Sequence, residues 1–229
     1  MKKNKIALIA FSIILIIITG YVSSIVNASA NDYDGESILY LISPVGRSEY
    51  KDLGTVDLNG MKVNLVIFKT SAMSFNDTEK IYSDPKTMLP YRVERDISWF
   101  MKKEYITEEY DQKKFTVTTK KYSGARLINE LVIKADGPIH NAILLPFYLR
   151  RCSGLKIGQH FIARFPDKFD LELVSIDEIT VPAGKFQAYH FKSTPNKFEI
   201  WVSTDHPQVP VKIKGTTGLK YALLIKERR

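Results

Sequence analysis

The chain has 229 residues, of which 45% are hydrophobic, and its formal net charge is +8 at neutral pH. This length fits one ordinary domain with a substantial core. Cys152 is the single cysteine, so an internal disulfide is excluded and the fold must depend on core packing. The basic excess is modest and spread along the chain, which is typical of solvated surfaces.

The first thirty residues have the parts of a secretory signal peptide. Three lysines precede an apolar run over residues 6–18, and a polar stretch then leads to an Ala-x-Ala site formed by Ala28 and Ala30. We predict that residues 1–30 are a signal peptide cleaved after Ala30. The remaining residues 31–229 would form a single β-rich exported domain with a net charge of +8 − 3 = +5.

A second interpretation of the leader keeps it in place as an anchor. Residues 6–26 carry no charge and are numerous enough to span a bilayer. The preceding lysines would hold the N-terminus in the cytoplasm and place the domain outside. Both interpretations predict export. A cleaved chain is expected in the periplasm or cell envelope, and an uncleaved one in the inner membrane with one N-terminal anchor. Nucleic acid is not an expected partner in either case.

The exported part predicts antiparallel β-structure. Apolar and polar residues alternate with a period of two in residues 61–67, 114–120, 209–214 and 219–226. Turn signals such as Asn59-Gly60 and Pro182 to Gly184 recur at roughly ten-residue spacing. These patterns favour a sandwich, a barrel or a curved antiparallel sheet of about ten to twelve strands.

One segment of the exported part predicts a helix. The stretch from Ile139 to Arg151 has apolar residues on nearly all sides, with Asn141 as a possible cap and Pro146 expected either to kink the helix or to mark a fresh start. A helix of this composition has to be buried. We therefore expect one apolar helix packed on the concave side of the sheet.

Motifs of known enzymes are absent from the sequence. There is no Gly-x-Ser-x-Gly, His-Glu-x-x-His, phosphate loop or Cys-x-x-Cys, and the four histidines fall singly. We therefore predict neither a metal nor a cofactor. A pairing of Cys152 with His160, or a carboxylate pair, stays open as the basis of a hydrolase with an unrecognised site.

Six short motifs together resemble the exported bacterial domain-of-unknown-function family 3108. They lie in order between about Tyr40 and Leu224 and are Leu41–Gly46 (LISPVG), Asp84–Glu94 (DPKTMLPYRVE), Leu145–Arg150 (LPFYLR), Lys156–Gln159 (KIGQ), Val181–Phe186 (VPAGKF) and Glu199–Asp205 (EIWVSTD). The resemblance implies export, an open, curved half-barrel similar to the outer-membrane lipoprotein carrier proteins, and neither enzyme activity nor a cofactor.

The leading functional hypothesis is a non-catalytic cell-envelope protein that binds an apolar or amphipathic ligand, a lipid or lipoprotein, in the concavity of the sheet. The candidate ligand-binding residues are Trp99, Phe147, Tyr148, Arg150 and Trp201. For Trp201 core packing is the favoured role, and for Arg150 capping of the helix or pairing with a carboxylate is favoured over contact with a ligand. The alternatives are an envelope scaffold without a small-molecule ligand, and the hydrolase described above.

Overall fold

The fourteen strands in the described part of the chain belong to one antiparallel sheet that is not closed into a barrel. The computed structural model describes residues 33–218 and 220–229. The predicted signal peptide lies outside them and stays a prediction. The strands are β1 (Ser37–Ser43), β2 (Arg47–Leu58), β3 (Met61–Ala72), β4 (Phe75–Ser83), β5 (Pro90–Trp99), β6 (Lys102–Asp111), β7 (Thr116–Ser123), β8 (Arg126–Lys134), β9 (His160–Arg164), β10 (Lys168–Val181), β11 (Gly184–Thr194), β12 (Phe198–Ser203), β13 (Pro210–Gly215) and β14 (Tyr221–Arg228).

Their order in the sheet is β8-β7-β6-β5-β4-β3-β2-β1-β14-β13-β12-β11-β10-β9, so β1 and β14 join two meanders and β8 and β9 are the edges. The predicted mainly β, antiparallel fold class is confirmed. The number of strands exceeds ten to twelve because two turns contain none of Gly, Pro, Asn and Asp. These turns are Met73-Ser74 and Phe100-Met101, so counting turn signals misses them.

The sheet is strongly curved. The backbone N–H of Ala183, in the β10–β11 turn, donates to the carbonyl oxygen of Ile225 in β14 at 3.0 Å, the length of an ordinary hydrogen bond. This contact forms although three strands separate β10 from β14 in the sheet. One cluster of buried side chains also joins β1–β5 to β10–β14, with Tyr50 and Val66 from the first half and Val211 from the second. The two halves of the sheet therefore face each other across a common core.

The segment between β8 and β9, residues 135–159, crosses the inside of this curve. We call it the crossing segment. Its helix α1 covers only Leu145–Leu149, so the predicted helix from Ile139 to Arg151 is too long. Pro146 lies in the first turn, where a missing N–H costs nothing, and thus begins the helix rather than kinking it. Asn141 Oδ1 accepts the N–H groups of Ile143 and Leu144 at 2.9 and 3.2 Å in a preceding turn.

Helix α1 lies between two clusters of buried side chains, as its apolar composition requires. Leu144 and Phe147 join the cluster shared by the two halves of the sheet. Leu145 and Leu149 pack into a second cluster with Phe191 and neighbouring residues of β9–β12. Within residues 33–218 and 220–229, no helix is both long and apolar enough to cross a membrane.

The turns of β1–β8 fall into two groups at opposite ends of the strands. The tip end has the β1–β2, β3–β4, β5–β6 and β7–β8 turns, at residues 44–46, 73–74, 100–101 and 124–125. The capped end has the turns at residues 59–60, 84–89 and 112–115.

The capped end takes its name from three aspartates that accept backbone N–H groups of these turns. Asp57 accepts Gly60 N–H at 2.8 Å, while Asp84 and Asp111 each accept two backbone N–H groups. The crossing segment is also fastened here, because Arg151 Nη1 donates to the carbonyl oxygen of Pro85 at 2.9 Å.

Candidate functional site

A cavity of about 310 Å³ remains between the sheet and the start of the crossing segment. Its floor comes from inward-facing residues of β4–β8, and its roof comes from residues 139–143 with Phe165 and Pro166. The floor residues are Glu79, Arg95, Glu108, Tyr110, Val117, Thr119 and Ile133. This volume is that of about ten water molecules, at the lower end of small-molecule sites.

The floor of the cavity holds a cluster of charges around one arginine. Arg95 is directly opposite Glu79 in the β4–β5 register, and its Nε lies 3.6 Å from Glu79 Oε1. Its Nη2 donates to Asp77 Oδ2 in a very short ion pair. Glu108 accepts the phenolic O–H of Tyr110. Asp77, which lies beside the cavity and not in its lining, and the lining residues Glu79 and Glu108 thus place three carboxylates near a single guanidinium.

Burial is the main influence on the acidity of Glu79. Burial, together with the neighbouring Asp77 and Glu108, raises the pKa of Glu79 from 4.5 to about 7, although Arg95 opposes the change. Burial and the charge of Glu108 likewise raise the pKa of Tyr110, so its hydroxyl stays a donor. Glu79 is therefore the group that titrates near neutral pH in this cavity.

The roof is held in place by His140. Its backbone N–H donates to the carbonyl oxygen of Arg164 at 2.8 Å, and its Nδ1 accepts the Arg164 N–H at 3.2 Å. Burial, and then the charge of Arg164, lowers the pKa of His140 to about 4. The imidazole is neutral at physiological pH and does not balance the carboxylates below it.

The predicted candidates Phe147 and Arg150 lie in the core rather than in the cavity. Phe147 stacks on Tyr50 with ring centroids 3.7 Å apart. Arg150 is 2% exposed, and its Nη2 donates to Glu36 Oε2 at 2.6 Å while its guanidinium lies over the Tyr33 ring. The stacking of Phe147 and the Arg150–Glu36 ion pair fasten the crossing segment to the sheet, while Arg150 Nε and Nη1 are buried without a hydrogen-bond partner among the described residues.

The other three candidates differ in their surroundings and burial. Trp201 is buried, stacks on His190 at 4.1 Å and donates from Nε1 to Asp177 Oδ2 at 3.2 Å. Tyr148 is partly buried against both core clusters. Trp99 is 58% exposed at the tip end. None of the five candidates lines the 310 Å³ cavity.

The residues of the alternative Cys152–His160 pair are also separated. Cys152 is buried, its Sγ lies 3.7 Å from the carbonyl oxygen of Tyr148, and burial raises the pKa of its thiol to about 12. His160 is exposed and pairs with Asp170 at 2.8 Å. The described part of the chain contains no group of three or more His, Cys, Asp or Glu side chains arranged to hold a metal.

Sequence reasoning missed Glu79 and Arg95, although a signal for both exists. Glu79 has the same parity as the buried Ile81, and Arg95 has the same parity as the buried Val93. Charged residues on the inward face of adjacent strands predict an internal ion cluster. Recognising it requires the pairing of the two strands, which a single sequence does not supply.

Comparisons with known proteins agree with the fold. The family model for "Protein of unknown function (DUF3108)" matches residues 47–220. The structure is similar to the crystal structure of a β-barrel-like protein of the domain of unknown function DUF1849 from Brucella abortus. The TM-score is 0.50 at 10% identity, over 85% of this chain and 96% of that one. A search of curated proteins finds no match.

Proposed function

Because the chain belongs to DUF3108, a family of unknown function, we propose its role from the cavity: a non-catalytic cell-envelope protein that binds the cationic group of a small amphipathic molecule. The observation that supports this most is the group of three carboxylates around Arg95. One guanidinium cannot neutralise Asp77, Glu79 and Glu108. A bound cation supplies the missing charge and allows Glu79 to ionise.

The lining also favours an amphipathic ligand over a bare ion. Val117 and Ile133 continue the floor beside Tyr110, and Ile143 and Phe165 lie in the roof. An ammonium or guanidinium group at Glu79 would therefore have a short apolar chain beside it. The cavity has room for a headgroup or a short amine, so the lipid expected from the sequence would enter it only in part.

Binding titrations with short probes test this proposal. We expect hexylammonium to bind the full chain more tightly than hexanol or hexanoate, which have equal chain length but no positive charge. Since the pKa of Glu79 is about 7, its ionised fraction falls about tenfold between pH 8 and pH 6, and the affinity for hexylammonium should fall by about the same factor. Calorimetry measures both effects.

Two variants test whether hexylammonium binds in the cavity or elsewhere on the surface. Glu79→Gln should weaken hexylammonium binding at pH 8 and abolish its pH dependence. Glu104→Gln is the control, because Glu104 lies in β6 outside the cavity and pairs with Lys121 at 2.7 Å. Equal affinity for the three probes, or an unchanged pH dependence in Glu79→Gln, would refute the proposal. Chemical breakdown of a bound ligand would favour the hydrolase alternative.

A scaffold role is the second candidate, and strand β8 favours it. At the other edge of the sheet, His140 pairs with the backbone of Arg164 in β9. Strand β8 is exposed on both faces, with Leu131 on the face of Ile133 and Val132 on the opposite face. An open edge with apolar residues on both faces is suited to pairing with a strand of another protein.

Substitution of the β8 edge tests this second candidate. Leu131→Pro would remove a backbone donor from the strand, and Val132→Lys would place a charge on its apolar face. If β8 recruits a partner strand, either variant should lose that partner in crosslinking from the cell envelope, whereas Lys168→Pro in the β9–β10 hairpin should retain it. Equal crosslinking by all of them would exclude β8 as the contact.

A further inference from the structure

The tip end exposes large apolar side chains at neighbouring turns. Met73 in the β3–β4 turn is 89% exposed, and Phe100 and Met101 in the β5–β6 turn are 78% and 98% exposed. The two turns touch, because Phe100 N–H donates to the carbonyl oxygen of Ser74 at 3.3 Å. Trp99 extends the group, with its ring 6.1 Å from that of Phe100. Single exposed apolar residues are common, but a contiguous group at the outermost points of a domain is not.

The backbone makes these residues more unusual. Met73 and Phe100 have φ values of 52° and 53°, in the left-handed region where Gly, Asn and Asp are favoured. A bulky apolar side chain is a poor choice there for folding, and it gains no burial in return. Neither the backbone nor the core explains Met73 and Phe100, so an external contact is the remaining explanation.

The charges around the tip end have one sign. Within two residues on either side of its four turns lie the exposed cations Arg47, Lys102, Lys103 and Arg126, and these segments contain no carboxylate. The four turns are adjacent, since β1–β8 are consecutive in the sheet. The tip end therefore combines exposed apolar side chains with exposed cations.

We propose that the tip end docks on an anionic lipid surface. Met73, Phe100 and Met101 would enter the boundary between headgroups and acyl chains, Trp99 would lie at the headgroup level, and the cations would contact lipid phosphates. A lipid surface fits better than a protein partner because the apolar groups project from separate turns and form no groove. The contact is independent of the cavity and of the ligand proposed for it.

Vesicle binding with Trp99 as a local reporter tests this proposal. The full chain is mixed with phosphatidylcholine vesicles that contain either no phosphatidylglycerol or a substantial fraction of it. Trp201 is buried, so a change in tryptophan emission on binding should come from Trp99. We expect a shift to shorter wavelength and quenching by brominated acyl chains with the anionic vesicles. Both changes should disappear in Trp99→Phe, even if residues 6–26 also insert.

Two substitutions distinguish the apolar and charged parts of the contact. Phe100→Asn should weaken binding about tenfold or more, because a phenyl group no longer leaves water. Lys102→Gln and Lys103→Gln should each weaken binding to the anionic vesicles about fivefold and reduce its salt dependence. Met61→Ser is the control, because Met61 is an exposed apolar residue at the capped end and should have no effect.

Three results would overturn the proposal. The first is absence of binding to either vesicle. The second is binding that leaves Trp99 emission unchanged, which would assign the membrane contact to another part of the chain. The third is equal binding by Phe100→Asn and the wild type. Protection of Trp99 from quenchers by an envelope protein, but not by vesicles, would assign the tip end to a protein partner instead.

Discussion

Asn59 and Phe100 have the same backbone conformation at opposite ends of the sheet, each with φ of 53°. In the β2–β3 turn of the capped end the position is filled by Asn before Gly60, a sequence that favours the tight turn of a hairpin. The bulky residues with similar φ at that end, Met88 and Phe115, are buried and half-buried. At the tip end it is filled by a phenylalanine that is almost fully exposed. Asn59 therefore favours folding of its turn, whereas Phe100 disfavours its turn and exposes an apolar side chain.

The same contrast extends to the surroundings of the turns. At the capped end, Asp57, Asp84 and Asp111 satisfy the backbone N–H groups of the turns, and Arg150 and Arg151 fasten the crossing segment nearby. At the tip end there are no such aspartates within the four turns that the structure describes. We infer that the capped end stabilises the fold and that the tip end is available for contact.

The largest expected effect is the loss of stability in Arg150→Leu, which tests whether the ion pair near the capped end stabilises the fold. Arg150→Leu removes the buried guanidinium that pairs with Glu36, while Arg228 Nε stays at 2.6 Å from the same carboxylate. Breaking a buried pair from one side leaves a carboxylate poorly compensated, so the free energy of unfolding should fall by about 3–5 kcal/mol. Urea denaturation measures this change.

Arg126→Leu is the matched control at the tip end. Arg126 is an exposed cation, and its loss should change the free energy of unfolding by less than about 0.5 kcal/mol. The double variant Glu36→Gln, Arg150→Leu should recover part of the lost stability, because the buried charge is gone. A loss below about 1 kcal/mol for Arg150→Leu would contradict the role assigned to this pair.

An intermediate effect is expected at the Asp84 turn. Asp84 Oδ1 accepts the N–H groups of Lys86 and Thr87 at 3.0 and 2.7 Å. Asp84→Ala should therefore reduce the free energy of unfolding by about 1–2 kcal/mol. Ser74→Ala at the tip end should change it by less than about 0.5 kcal/mol. Equal effects would remove the distinction between the two ends.

The effect of Asp84 should also depend on pH. Partial burial acts to raise its pKa, but the hydrogen bonds from Thr87, Lys86 and Tyr91 outweigh burial and hold the pKa below its usual value of 3.8. A carboxyl whose pKa is lowered by folding stabilises the protein above its unfolded pKa and loses that effect as the pH falls through the folded value. The difference between wild type and Asp84→Ala should therefore shrink below about pH 4.

The sequence predicts the regular parts of the fold, since period-two alternation in residues 61–67 and turn residues such as Asn59-Gly60 depend on local physics. The helix was predicted too long because apolar composition does not distinguish a buried helix from a buried extended segment. The tip turns at Met73 and Phe100 were missed because their residues contradict local turn preference.

The candidate site was less predictable than the fold. The aromatic residues expected to bind a ligand, such as Phe147 and Trp201, pack in the protein interior, where large aromatic side chains bury the most area. The charged cavity depends on the registers of five strands, which bring Glu79, Arg95 and Glu108 together. Those registers are set by pairings across the sheet, so no local pattern encodes the site.

The smallest expected effect on stability is that of Phe100→Asn, and it tests most directly whether the turn residues of the two ends have different roles. Phe100→Asn places at the tip end the residue type that the capped end already has in the same conformation. Because Asn tolerates φ of 53° better than Phe and no buried contact is lost, the free energy of unfolding should stay within about 0.5 kcal/mol or rise slightly.

The reverse exchange, Asn59→Phe, should lower the free energy of unfolding by about 1 kcal/mol, since it brings an unfavourable residue into a turn built for folding. Urea denaturation of both variants, run beside the vesicle assay, gives the comparison. Loss of vesicle binding without loss of stability in Phe100→Asn would separate contact from folding at the tip end. A loss of about 1 kcal/mol or more there would mean that Phe100 serves the fold, and the difference between the ends would then need another cause.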